Sequence, residues 1–286
     1  MNTQSNADRE WALVWLRGIG QIMLMPSAVT GFLFLVGIGC SSAQQLLGAV
    51  AGALVSTVTG SLVGVSRDNL LKGYCGLNGA LVGIATYFFF APTPEALMLL
   101  VVGSALSTLV MIWMLRRGIP FYTWPFVVST WIVFLAGRFL DLARSDTAAS
   151  SVTGFAASEW LLAPLRGIGQ VMFQQSALSG ALFLIGIALC SWRGALWTLV
   201  GSISGCMLGM LVTGEVDTVM AGLFGFNAAL AALAVSLLGR NRWEPVATAL
   251  LTVPIWMLFR LLHIPALTAP FVLATWLAIR FLPQKR

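Results

Sequence analysis

The chain has 286 residues, 58% of them hydrophobic and only 9% charged, with a formal net charge of +6 and a pI near 9.7. Soluble domains carry roughly 25% charged residues, so this composition excludes a water-soluble globule and makes the lipid bilayer the solvent. The basic excess does not point to nucleic acid, because Lys and Arg stand singly or in pairs between apolar runs, where cytoplasmic loops hold them.

In chain order, residues 1–9 form a mostly polar tail without a cleavable signal pattern. An apolar run over 11–25 is interrupted by Arg17, Gly18 and Gly20. It is too short and too polar to span, which predicts a half-membrane helix. A spanning helix takes about 20 mostly apolar residues. Such runs follow at 27–40 with its extension, 45–64, 73–91, 96–115 and 124–140. Residues 141–158 are the longest non-apolar stretch and read as a linker. A second broken segment lies at 159–173, then runs near 176–191, 195–213, 219–238, 246–262 and 268–282, and a basic tail at 283–286. Small residues at helix-packing spacing recur as Gly48 with Gly52, Gly60 with Gly64, and Gly205 with Gly209, which predicts close helix contacts. Cys40, Cys75, Cys190 and Cys206 lack metal or redox spacing and read as small packing residues.

The second half restates the first. Leu16-Arg17-Gly18-Ile19-Gly20-Gln21 returns as Leu165-Arg166-Gly167-Ile168-Gly169-Gln170. Gly76-Leu77-Asn78-Gly79-Ala80-Leu81 is answered by Gly225-Phe226-Asn227-Ala228-Ala229-Leu230. Ile119-Pro120-Phe121-Tyr122-Thr123-Trp124-Pro125-Phe126 is answered by Ile264-Pro265-Ala266-Leu267-Thr268-Ala269-Pro270-Phe271. Three blocks recurring in one order mark a duplicated unit, the first repeat over 10–140 and the second over 159–282. Five spans per repeat is an odd number, so the copy must insert upside down, as an inverted repeat. With the N-terminus inside, Arg67, Lys72, Arg116, Arg117, Arg193, Arg240, Arg242, Lys285 and Arg286 all fall on the cytoplasmic side. Both termini are then cytoplasmic. This holds only if the two broken segments do not cross fully.

Catalytic and metal chemistry find little support. His263 is the single histidine, at a predicted span end, and no H-E-x-x-H, G-x-S-x-G or Walker pattern is present. Almost no Asp or Glu falls at mid-membrane depth, which argues against ion-coupled transport and for passive movement of a neutral solute. What remains there is uncharged and duplicated. Gln21 and Gln170 end the broken segments, where a helix stopping part-way leaves carbonyls that must meet water or a solute. The alternative is that each caps a neighbouring helix. Thr123 and Thr268 lie between prolines, either bonding back to a carbonyl or lining a passage. Asn78 and Asn227 read as side chains that satisfy broken backbone. Arg17 and Arg166 read as structural, each seven positions after a glutamate, Glu10 or Glu159, that it can pair with.

Together these blocks resemble the urea transporter family, over about residues 10 to 282. The resemblance implies an all-α membrane protein with ten transmembrane helices, two tilted half-membrane helices and no cofactor. It implies a homotrimer in a bacterial inner membrane, each subunit holding its own pore for urea. It further implies that Gln21 and Gln170 belong to an oxygen ladder. Leu24, Leu77, Phe173 and Phe226 would form slots that sandwich a flat solute, with Leu81 and Leu230 as further slot residues. Ile22 and Val171 match apolar liners, and Thr123 and Thr268 match the narrow middle. The chain departs from the family pattern at Met25-Pro26-Ser27 and Gln174-Gln175-Ser176, and at Leu24 and Leu77, where the rings are gone. One mouth is expected to be aliphatic and the other aromatic. Competing readings are a channel for ammonia or another small amide, a membrane-embedded amide or lipid hydrolase, and a non-transporting scaffold.

Overall fold

A computed structural model describes residues 13–145, 157–239 and 243–281. The polar tail, Glu10, the middle of the linker, Arg240, Arg242 and the basic tail lie outside the described residues. Regular structure among the described residues is helical, with one isolated antiparallel bridge between Phe90 and Arg144. The chain divides into two compact units, Met1–Ala149 and Ser150–Arg286.

The first unit opens with α1, Val14–Gly20, which tightens into a 3-10 turn over Gln21–Met23. Leu24 then adopts a left-handed backbone with φ 60, its N–H donating to the Gln21 carbonyl at 2.9 Å. That conformation and Pro26 stop the helix. Ser27 starts α2, Ala28–Ser41, by accepting from the Thr30 N–H at 3.3 Å. The chain bends 73° between the two. There follow α3 (Ala43–Leu62), the short α4 (Arg67–Leu71), α5 (Tyr74–Phe89), α6 (Pro94–Arg116) and α7 (Trp124–Phe139).

The second unit runs in the same order. A 3-10 turn over Ala157–Leu161 leads to α8 (Ala163–Gln170), and Phe173 repeats the left-handed stop at φ 61. Then come α9 (Ala177–Cys190), α10 (Trp192–Thr213), the short α11 (Val216–Met220), α12 (Gly225–Leu237), α13 (Trp243–Leu261) and α14 (Ala269–Phe281).

Among the described residues, only α3, α6, α10 and α13 are by themselves long and apolar enough to cross a membrane. The others expected as spans are shorter apolar helices; α12 and α14 have 13 residues each. At 1.5 Å per residue that is about 20 Å, against a hydrocarbon core of about 30 Å. The reason lies in the segments before them. The run expected as one span over 219–238 is two helices: α11 ends at Met220 and the chain turns through Gly222, at φ 78, before α12 begins. The run over 73–91 is the 16-residue α5, which begins at Tyr74 just behind the separate α4.

In the first unit α3 packs on α5 through glycine. A Cβ on Gly48 or Gly52 would collide with the carbonyls of Gly83 and Gly79, and one on Gly60 with Cys75 Sγ. In the second, Gly205 and Gly209 meet Phe224 in the same way. Backbones this close gain dispersion contacts that lipid cannot match. Gly64 corrects the expectation for its pair. It has nothing within 4 Å and sits at φ 80, beyond the end of α3. Its lack of a side chain serves a turn. Ser104 adds a buried bond, its Oγ donating to the Gly79 carbonyl at 3.3 Å. The cysteines also divide: Cys75 and Cys206 are buried packing residues, whereas Cys40 and Cys190 are exposed, near the ends of α2 and α9.

Candidate functional site

Each unit carries its own polar cluster where the half helix stops. In the first, Arg17 and Gln21 stand one turn apart on a single face of α1. Arg17 Nη1 donates to the Leu71 carbonyl at 3.0 Å, and Gln21 Nε2 donates to the next carbonyl, Lys72, also at 3.0 Å. The two side chains clamp the end of α4. The fit depends on glycine: Gly73 has φ 80, and a Cβ there would lie 2.5 Å from the Gly18 nitrogen. Any side chain would push α1 off α4 and pull the clamp apart.

The clamp also fixes which way the amide of Gln21 points. Only the NH₂ end can donate to a carbonyl, so Oε1 must face the other way. Among the described residues no donor reaches that oxygen, and Gln21 is 7% exposed. Two backbone carbonyls of the turn take bonds from within it. The Gly20 carbonyl accepts from Met25 N–H at 3.1 Å, and Gln21's from Leu24 N–H. The turn uses one lone pair of each, and the side-chain oxygen stands beside them as a further acceptor.

The turn carrying Gln21 and Ile22 packs against α5. Helix α5 holds Leu77 and Leu81, four apart and both buried, as Ile22 is. Leu24, at the left-handed position, is half-buried. Between Leu77 and Leu81, Asn78 reaches the irregular segment before α7. Its Nδ2 donates to the Tyr122 carbonyl at 3.3 Å, and its Oδ1 accepts from Phe126 N–H at 3.0 Å. Thr123, buried, lies within that bridged loop. The reading of Asn78 as a satisfier of broken backbone is what its hydrogen bonds show.

The second unit repeats the arrangement bond for bond. Gln170 Nε2 donates to the Ala221 carbonyl at 3.0 Å, and Arg166 Nη1 to the preceding Met220 carbonyl at 3.4 Å. A Cβ on Gly222 would collide with Gly167. Asn227 donates to the Leu267 carbonyl at 3.1 Å and accepts from Phe271 N–H at 2.9 Å. Thr268, beside Leu267, is buried, as are Val171, Phe226 and Leu230, while Phe173 is half-buried. Arg166 also pairs with Glu159, as its sequence spacing suggested. The two do not share a helix face, because Glu159 lies in the 3-10 turn before α8. The partner expected for Arg17, Glu10, is outside the described residues.

The clamp partners Leu71, Lys72, Met220 and Ala221 escaped sequence reasoning. A signal was there: Gly73-x-x-Gly76 is matched by Gly222-x-x-Gly225. Among the described residues no cluster of His, Cys, Asp or Glu is suited to a metal. The groups brought together are amides, carbonyls and apolar side chains, with each arginine committed to a carbonyl.

The comparisons with known proteins agree with this picture. The profile of the family described as "Urea transporter" matches residues 12–282. The chain is 31% identical to Urea transporter 1 of Mus musculus over 290 aligned positions, covering 92% of this chain and 74% of that protein. It is 28% identical to Urea transporter 1 of Ovis aries over the same coverage, and 29% to that of Rattus norvegicus. A match across nearly the whole length, carrying both copies of the clamp, places the chain in the urea transporter family.

Proposed function

We propose that this chain is a passive, channel-type facilitator that moves urea across a membrane through a narrow uncharged pore. The observation that carries this is the duplicated clamp. Each glutamine commits one N–H to a carbonyl, which turns Oε1 the other way, and in this reading Oε1 takes a donor from the solute. Urea is flat, neutral and edged with N–H groups, so it supplies such donors without a charge to bury. Exchanging water for a protein acceptor nets about 1 kcal/mol per bond, weak enough for rapid release.

In this reading Gln21 and Gln170 are the ladder acceptors. Leu24 with Leu77, and Phe173 with Phe226, are the slots that take the solute by its faces. Ile22, Leu81, Val171 and Leu230 keep the walls apolar, and Thr123 and Thr268 offer hydroxyls at the narrow middle. The odd span number and the loop charges support ten spans as two inverted repeats, 10–140 and 159–282, with both termini cytoplasmic in an inner membrane. The resemblance supports a homotrimer.

The test is stopped-flow urea flux in proteoliposomes, with acetamide and ammonia as comparison solutes and thiourea as competitor. Wild-type protein passes urea fastest. Gln170→Leu lowers urea flux without unfolding the protein, because the clamp keeps Arg166 and the glycine contact. Unchanged flux in that variant would remove the glutamine from the mechanism.

A further inference from the structure

We infer that Arg166, held by Glu159, is a positioning residue for solute passage that acts through Gln170. The inference rests on the reading of Gln170 as a solute acceptor. Arg166 and Gln170 donate to successive carbonyls, Met220 at 3.4 Å and Ala221 at 3.0 Å. The two carbonyls flank Ala221, and the N–H groups of their own peptides, Ala221 and Gly222, bond back to Asp217 and Val219 at 2.9 Å, so both carbonyls belong to one hydrogen-bonded turn and shift with it. The guanidinium therefore sets where the Ala221 carbonyl stands, and that carbonyl sets the direction of the Gln170 amide.

Glu159 completes the device. The Arg166 side chain is only 12% exposed, and its Nη2 is paired with Glu159. An arginine without a partner at such a place swings its stem toward water. The pair holds the guanidinium over α11, tying the 3-10 turn before α8 to the α11 end. Without it, the end of α11 shifts and the Ala221 carbonyl leaves the line of the Gln170 amide. The amide is then free to rotate and present N–H where it presented oxygen, which turns an acceptor into a donor. Arg17 and Gln21 take the adjacent carbonyls Leu71 and Lys72 in the same order. The same donors on the same carbonyl pair, in two different sequence settings, show the clamp as a device of the motif.

The experiment uses the full chain in proteoliposomes, reading urea and acetamide flux, with thermal unfolding in detergent alongside. Arg166→Met lowers urea flux about fivefold and Glu159→Gln about twofold, while Arg166→Lys restores part, since lysine keeps the ion pair and one donor. The urea-to-acetamide ratio moves toward that of Gln170→Leu. The deciding measurement is the double variant. Arg166→Met with Gln170→Leu is no slower than Gln170→Leu alone when the arginine acts through the glutamine. Losses that multiply, or an unchanged solute ratio, overturn the positioning role. If Arg166→Met does not fold, Glu159→Gln takes its place in the same cycle. Wild-type flux in Gln170→Leu brings down the glutamine reading itself. Slow Gln170→Leu with normal Arg166→Met brings down only the positioning role.

Discussion

Gly18 and Gly73 meet backbone to backbone, so that a Cβ added at Gly73 would stand 2.5 Å from the Gly18 nitrogen. Gly73→Ala therefore meets both a left-handed backbone and a rigid wall. Together these are expected to cost about 2–4 kcal/mol, seen as a lower unfolding temperature in detergent. Gly64 is the internal control. It has the same φ of 80 but nothing within 4 Å, so Gly64→Ala carries only the backbone cost of about 1 kcal/mol. Equal losses at the two positions would deny the close contact beneath the clamp.

The two asparagines separate stability from transport. Asn227→Ala leaves the Leu267 carbonyl and the Phe271 N–H without their bonds in a buried setting. Two such losses cost about 2–4 kcal/mol, and because Thr268 lies in the released loop, urea flux falls as well. Gln170→Leu leaves one backbone group unbonded and not two, so it should show the opposite balance, a large loss of flux with a smaller drop in unfolding temperature. Thermal melts and flux measured on the same preparations distinguish the two patterns.

The slots differ between the units in side chain but not in backbone. Leu24 has φ 60 and Phe173 has φ 61, so each position accepts the other's residue without new strain. An aromatic face carries a quadrupole that an aliphatic one lacks. Leu24→Phe is expected to raise urea flux relative to acetamide by about two- to threefold, and Phe173→Leu to lower it by a similar factor. Swaps that leave the solute ratio where it was would detach these positions from recognition.

Much of this arrangement was legible because it is written twice. The matched Arg-Gly-Ile-Gly-Gln blocks fall on the short helices α1 and α8, which end at Gly20 and Gln170. Asn78 and Asn227, polar residues in small-residue surroundings, pointed to broken backbone, and their bonds to Tyr122 and Leu267 run there. What stayed hidden was contact at a distance. The Gln21 to Lys72 bond joins residues 51 apart, and its acceptor is a backbone carbonyl, which no side-chain pattern advertises. The helices α4 and α11 have five residues each: α11 runs into the apolar stretch that starts at 219, and α4 opens on Arg67-Asp68-Asn69, which hydropathy assigns to a loop. Gly64 misled for a related reason: four-residue spacing from Gly60 looks the same whether a glycine packs or turns.

Beyond the clamp, an exposed ion pair gives the second unit an acid-sensitive tie. Arg260 donates to Glu215 Oε2, and Thr218 Oγ1 donates to the same oxygen at 2.8 Å. The arginine bond first, and the threonine bond second, hold the Glu215 carboxyl below its ordinary value of 4.5. A carboxyl depressed in the folded state binds its proton more readily when unfolded, so the pair stabilises above 4.5 and is lost as pH falls through the depressed value. At neutral pH its whole contribution is present. Both side chains are substantially exposed, 53% for Arg260 and 36% for Glu215, so solvent screening keeps the effect small. Arg260→Gln should lower the unfolding temperature slightly at pH 7. Its difference from wild type should shrink on acidification below 4.5 and shrink also in high salt. The arginine also stands 5.7 Å from the centroid of the Trp256 ring, a contact that does not titrate. Arg260→Lys keeps the charge and separates the two contributions. A wild-type-to-Arg260→Gln difference independent of pH would assign the stabilisation to the ring.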